Sequence, residues 1–133
     1  MPSMERPTET AVTRLVARAR EDPDVLAVLL FGSRARGDAT PASDHDVCLV
    51  LAAPPRTGAD ATEKRLQYLA MVDLDVVVFQ QLPLYIRTRV LREGRVLFTR
   101  DEDALYAVAV RTARAFEGFR HIHRGYLDAV ARG

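Results

Sequence analysis

The spacing of apolar residues changes register several times along the chain, and each change marks an element. Residues 1–7 (MPSMERP) are polar with two prolines and read as disordered. Helical spacing begins near Thr8 or Thr10, either of which suits a cap, and places Val12, Leu15, Val16 and Ala19 on one face, away from Arg14, Arg18 and Arg20. Asp22-Pro23 ends that helix. Val25–Phe31 (VLAVLLF) is a short continuous apolar run closed by glycine, which predicts a strand buried on both faces. Gly37–Ser43 is loop by composition, and Asp44–Leu51 (DHDVCLVL) predicts a second strand. Ala59–Met71 reads as a helix with Leu66, Leu69 and Ala70 in its apolar stripe. Val72–Phe79 (VDLDVVVF), rich in valine, predicts a third strand. Leu82–Arg92 reads as a helix opened by Pro83 and stopped by Gly94, Arg95–Phe98 as a short fourth strand, and Asp101 or Asp103 opens a helix running to about Val130.

Strands alternating with helices predict an α+β (α/β) architecture, a mixed sheet of about four strands flanked by helices, with a long C-terminal helix. The length, 133 residues, suits one domain over 1–133 with one core. No apolar run approaches the roughly 20 residues of a membrane helix, and the polar N-terminus offers no signal-peptide core, so the expected location is cytoplasmic with no membrane partner. A formal net charge of +1 gives no global polycation, so nucleic acid is a possible but not a favoured partner. Of the 19 basic residues only Lys64 is lysine, a bias that coding composition explains as well as function does. The single cysteine, Cys48, excludes an internal disulfide and a multi-cysteine zinc site, and its apolar surroundings read as those of a buried, inert thiol.

The stretch FGSRARGDATPASDHD, residues 31–46, carries the chemistry. In a strand Asp44 and Asp46 point to one face and His45 to the other. Two carboxylates so placed repel unless a cation lies between them, and Mg²⁺ favours carboxylates together with phosphate oxygens and water. Gly32 lets a phosphate approach the backbone, Ser33 offers a hydroxyl and an N–H, and Arg34 and Arg36 add positive charge. Asp73 and Asp75 repeat the pattern in the third strand, where one of them would complete a three-carboxylate cluster. Such a cluster holds two metals about 3.5–4 Å apart for in-line phosphoryl transfer.

Gly32-Ser33, ten residues, then Asp44-x-Asp46 resembles the signature of the DNA polymerase β-like nucleotidyltransferase superfamily. The fuller text LFGSRARGDATPASDHDVCLVL, with the later LDVVVFQQLPLYIRTRVLREGRVLF, is similar to the minimal nucleotidyltransferases, the small antitoxin-type members, over roughly residues 25–100. The resemblance implies that family's fold, ATP as substrate and two Mg²⁺ ions. It makes Asp44, Asp46 and Asp75 the catalytic, metal-holding carboxylates, with Asp75 favoured over Asp73 by its distance from Gly94 and the apolar residues after it. It gives Gly32 and Ser33 the phosphates, with Arg34, Arg36 and Ser43 around the nucleotide. It further implies transfer of AMP to a hydroxyl of a partner protein, a HEPN-type toxin, so that the chain is the antitoxin of such a pair.

Blander readings stand beside these. Arg34 and Arg36 also suit a solvated surface, Gly37 and Asp38 a turn, and Ser43 a local hydrogen bond that shapes the loop. A calcium loop opening at Asp44 fails because Cys48 and Leu49 fall where a ligand and a glycine belong. His121 and His123 are two apart on a helix and do not make a metal pair. The stripe Leu105, Val108, Ala109, Thr112, Phe116 and Phe119 reads as core or interface, and Arg111, Arg114, Arg120 and Arg124 as a basic helix surface. Two other functions remain open: a non-catalytic antitoxin acting by contact alone, and a small-molecule nucleotidyltransferase of the antibiotic-modifying type.

Overall fold

Strand β1 (Val25–Phe31) lies inside the sheet, paired antiparallel with β2 (Asp46–Leu51) on one side and β4 (Arg95–Thr99) on the other. This is where a run apolar on both faces belongs. The structure, a computed structural model, describes residues 7–31, 46–53 and 58–132. Strand β3 (Asp75–Val78) joins the far side of β2 in parallel, which gives a mixed sheet of order β3-β2-β1-β4. The parallel pair requires a crossover, and helix α2 (Gly58–Leu69) supplies it.

Helices cover both faces of the sheet. Val28, Leu30, Val47, Leu49 and Val76 pack with Ala11, Leu15 and Ala19 of α1 (Pro7–Glu21) and with Tyr68 of α2. Ala27, Leu29, Cys48 and Val50 face Val90 of α3 (Leu84–Glu93) and Leu105 and Val108 of α4 (Glu102–Arg132). Cys48 is fully buried, and desolvation pushes its thiol up to about 12, as an inert core cysteine requires. Asp101, not Asp103, opens α4, accepting the Ala104 N–H at 3.1 Å. Thr112, the one polar member of the α4 stripe, is buried and donates its hydroxyl to the Val108 carbonyl at 2.8 Å. Gly94 ends α3 through close approach rather than a left-handed turn: its φ is −73°, and a Cβ there would collide with the Val90 carbonyl.

Three expectations need correction. Helix α1 starts at Pro7, earlier than either threonine, because proline at a first helical position gives up an N–H that has no partner anyway; the rest of the expected disordered segment lies outside the described residues. In α2 the buried residues are Ala61 and Tyr68, while Leu66 is 57 % exposed and Ala70 is exposed too. The third strand spans only Asp75–Val78, since Val72 and Leu74 fill the core from a bend and Phe79–Gln81 forms a 3-10 turn. The Gln80 side chain then takes over as β2's neighbour, accepting from Leu51 N–H and donating to the Leu51 carbonyl, both at 3.1 Å.

The rotation of α2 has a polar cause. Asp22, 5 % exposed, accepts the Tyr68 hydroxyl at 2.9 Å, the Lys64 ammonium at 3.0 Å and the Asp24 N–H at 3.1 Å. Burial pushes the Asp22 carboxyl up, but these three donors together pull it below its usual value. Lys64 is raised in turn: its two carboxylate partners, Asp22 and Asp24, outweigh its own desolvation. The Arg100 guanidinium closes the other side of this turn, donating to the carbonyls of Ala19, Arg20, Asp22 and Val25.

Candidate active site

Asp46 and Asp75 open their strands as direct register partners in the parallel pair β2–β3. Neighbouring strands lie about 4.8 Å apart, so the two carboxylates start from adjacent backbone positions. Alternation places Asp46 on the side of Cys48 and Val50, and Asp75 on the side of Val77, all of which belong to the face covered by α3 and α4. Phe31, paired with Asp46 across β1, is partly buried on that same face and walls the pair on its other side. Asp46 is half-buried, whereas the Asp75 side chain keeps 54 % of its exposure.

Asp73 does not join them. It lies in the bend before β3, exposed and out of the strand, so the expectation that it shares a strand face with Asp75 fails. Asp44, Gly32, Ser33, Arg34, Arg36 and Ser43 all lie outside the described residues, as do Gly37, Asp38 and His45. So do the side chains of Phe119, Arg120, His121, His123 and Arg124. Among the described residues no cluster of three or more metal-ligating side chains forms, and the described part of the site contributes the Asp46–Asp75 pair alone. Its donors are carboxylate oxygens with no thiol or imidazole among them, which suits a hard divalent cation such as Mg²⁺.

One neighbour escapes the sequence reading. Arg65 on α2 reaches round the sheet edge, donating from Nε to the Val76 carbonyl at 2.6 Å and setting Nη2 3.9 Å from Asp75 Oδ1. At that separation and exposure the ion pair adds little stability, but it fixes a positive charge beside the carboxylate. Nothing in the apolar spacing of α2 singles Arg65 out; its partner becomes visible only once β3 is seen to be an edge strand.

The family model for the polymerase β nucleotidyltransferase domain matches residues 14–103, from α1 into the first turn of α4. The chain belongs to this nucleotidyltransferase family. A homologue from Methanocaldococcus jannaschii named protein adenylyltransferase is 34 % identical over 79 residues, 56 % of this chain and 56 % of its own length. The chain thus spans little more than half of that relative. Two solved structures share the fold: a toxin–antitoxin complex with AMP-PNP, at 21 % identity, TM-score 0.66 and coverage of 92 % of this chain and 97 % of the other, and the MNT antitoxin with tri-AMPylated HEPN toxin of Shewanella oneidensis, at 18 %, 0.63, 92 % and 94 %. Among the described residues no helix is long and apolar enough to cross a membrane.

Proposed function

We propose that the chain is a single nucleotidyltransferase domain, working in the cytoplasm, that transfers a nucleoside monophosphate, AMP from ATP, to a hydroxyl of a HEPN-type toxin and so serves as the antitoxin of the pair. The observation that supports this reading best is the registered Asp46–Asp75 pair on one face of a family-typical sheet. The relatives' names point the same way: one relative is named for protein adenylylation, and one fold neighbour is an antitoxin beside an AMP-modified HEPN toxin.

In this reading Gly32 and Ser33 cradle the β- and γ-phosphates, Arg34 and Arg36 neutralise their outer oxygens, and Ser43 shapes the loop that delivers Asp44. Asp44, Asp46 and Asp75 would hold two Mg²⁺ ions, which when bound neutralise triphosphate charge and orient it. The acceptor oxygen bonds to the α-phosphorus as the bond to pyrophosphate breaks in line. The acceptor's proton passes to Asp75, whose side chain is open to solvent and can release it there. Arg65 sets a positive charge 3.9 Å from that carboxylate at the strand edge.

The test incubates the chain with labelled ATP, Mg²⁺ and a co-expressed HEPN-type partner, and reads the partner by mass spectrometry. The expected result is an added AMP on a tyrosine, serine or threonine, abolished by Asp46→Asn. Full transfer by Asp46→Asn, or an unmodified partner beside a labelled tRNA pool, overturns the reading.

A further inference from the structure

A cavity lies on the α3–α4 side of the sheet, at the far end of β2 from Asp46. It measures about 250 Å³ and opens between the C-terminal end of β2, the 3-10 turn, α3 and α4. Strand β2 rises about 3.3 Å per residue, so Leu51 at the cavity lies roughly 16 Å beyond Asp46. The cavity is smaller than the roughly 300–1,000 Å³ of pockets for drug-sized ligands. Leu51, Phe79 and Val108 make its walls apolar.

The polar groups in the lining are Gln80, Thr112, Arg87 and Arg111. Both ends of the Gln80 amide are committed to Leu51, and the Thr112 hydroxyl proton to the Val108 carbonyl. Arg87 Nε is buried without a hydrogen-bond partner, the one such side-chain nitrogen or oxygen among the described residues. Its helix neighbours one turn away are Pro83 and Leu91, and those of Arg111 are Ala107 and Ala115, so no acid on either helix is spaced to pair with them. The uncommitted side-chain donors of the lining therefore belong to two guanidinium groups on two helices. They can only donate, and their planar fork matches a carboxylate or a phosphate. Arg87 Nε is itself sealed from solvent, so an anion in the cavity would accept from the outer guanidinium nitrogens, where it would offset two like charges that face the same space.

We propose that this cavity binds a small oxyanion, a phosphate monoester or a carboxylate, held between Arg87 of α3 and Arg111 of α4. It lies at the far end of β2 from the Asp46–Asp75 pair and does not depend on the role proposed for that pair.

Thermal unfolding and calorimetric titration of the full chain test it with sodium phosphate, sodium succinate and sodium chloride at matched ionic strength, each with and without a saturating non-hydrolysable ATP analogue and Mg²⁺. Phosphate or succinate at millimolar concentration is expected to raise the midpoint above chloride, and to do so with the analogue present. Arg87→Gln and Arg111→Gln are each expected to weaken binding at least tenfold. A response to phosphate alone assigns the phosphate ester, and a response to succinate alone the carboxylate. No response above chloride, loss of the response under the saturating analogue, or an unchanged response in Arg111→Gln overturns the proposal. Arg111 is exposed, so this last arm stands even where Arg87→Gln fails to fold.

Discussion

Replacing Lys64 by methionine removes the ammonium from Asp22 while leaving a side chain of similar length. Asp22 stays 5 % exposed and keeps the Tyr68 hydroxyl and the Asp24 N–H, so the carboxylate remains hydrogen-bonded but loses its compensating charge. Breaking a buried pair from one side costs about 3–5 kcal/mol. The two surviving donors, and the 15 % exposure of the Lys64 side chain, bring this case to or just below the bottom of that range, about 2–3 kcal/mol at pH 7. For a chain of this size the midpoint should fall by roughly 8–12 °C. The pH dependence carries the stronger test. In the native chain Asp22 lies below its ordinary value of 3.8, so its contribution is present above that pH and lost as the pH falls through the lowered value. In Lys64→Met burial is opposed by weaker forces and moves the carboxyl upward, so acid protonates Asp22 in the folded state and relieves the penalty. Urea unfolding at a series of pH values from 7 to 3 should show the gap between the two proteins narrowing with acidity. A gap that is constant across the range, or absent at pH 7, refutes the claim that Lys64 serves the buried charge.

Three other outcomes are expected. Asp75→Asn should lower the rate of nucleotide transfer by about 10²–10³, the scale of losing one preorganised charge at a reacting centre, while Asp73→Asn, in the bend outside β3, stays near wild type; the reverse order in a side-by-side transfer assay would move the third carboxylate to Asp73. Gly94→Ala should cost about 1–3 kcal/mol, because the new methyl group meets the Val90 carbonyl, which cannot shift without unseating the end of α3; an unchanged urea midpoint would contradict that contact. Cys48 should react with an aromatic disulfide reagent only as fast as the chain opens, and a stoichiometric burst in the native protein would show the thiol to be accessible.

The strands were readable because their signal is local. Val25–Phe31 announces itself by composition and length, and it forms the strand with those bounds. The expected third strand runs longer than the observed one because Val72 and Leu74 are buried without being in a strand, and apolar content reports burial rather than pairing. The buried face of α2 differs from its apolar stripe for a related reason. Leu66 is more apolar than Lys64, yet Lys64 and Tyr68 turn inward because a buried carboxylate on a distant turn requires their protons. No spacing rule within one helix contains that demand. The site divides in the same way. The motif text singles out Asp46 and favours Asp75 as candidates, but their alignment depends on the register of a parallel pair joined by a crossover, which only the folded chain specifies. Arg87 and Arg111 drew either no notice or a solvated-surface reading, since the cavity between their helices exists only in three dimensions.

The bond from Arg65 to the Val76 carbonyl has a colloidal consequence. Strand β3 is the edge of the sheet, and an edge strand offers its outward carbonyls to any extended chain that drifts past. At Val76 that acceptor is already occupied by a charged side chain, which carries its own hydration and repels a second copy of itself. The arginine beside the Asp75 carboxylate is thus also a guard against strand addition, placed at the point where a valine-rich edge would otherwise be most adhesive. Substituting Arg65 uncovers that acceptor as well as the carboxylate, so a loss of activity in such a variant reports on the site only when the protein is shown by light scattering to be still monodisperse.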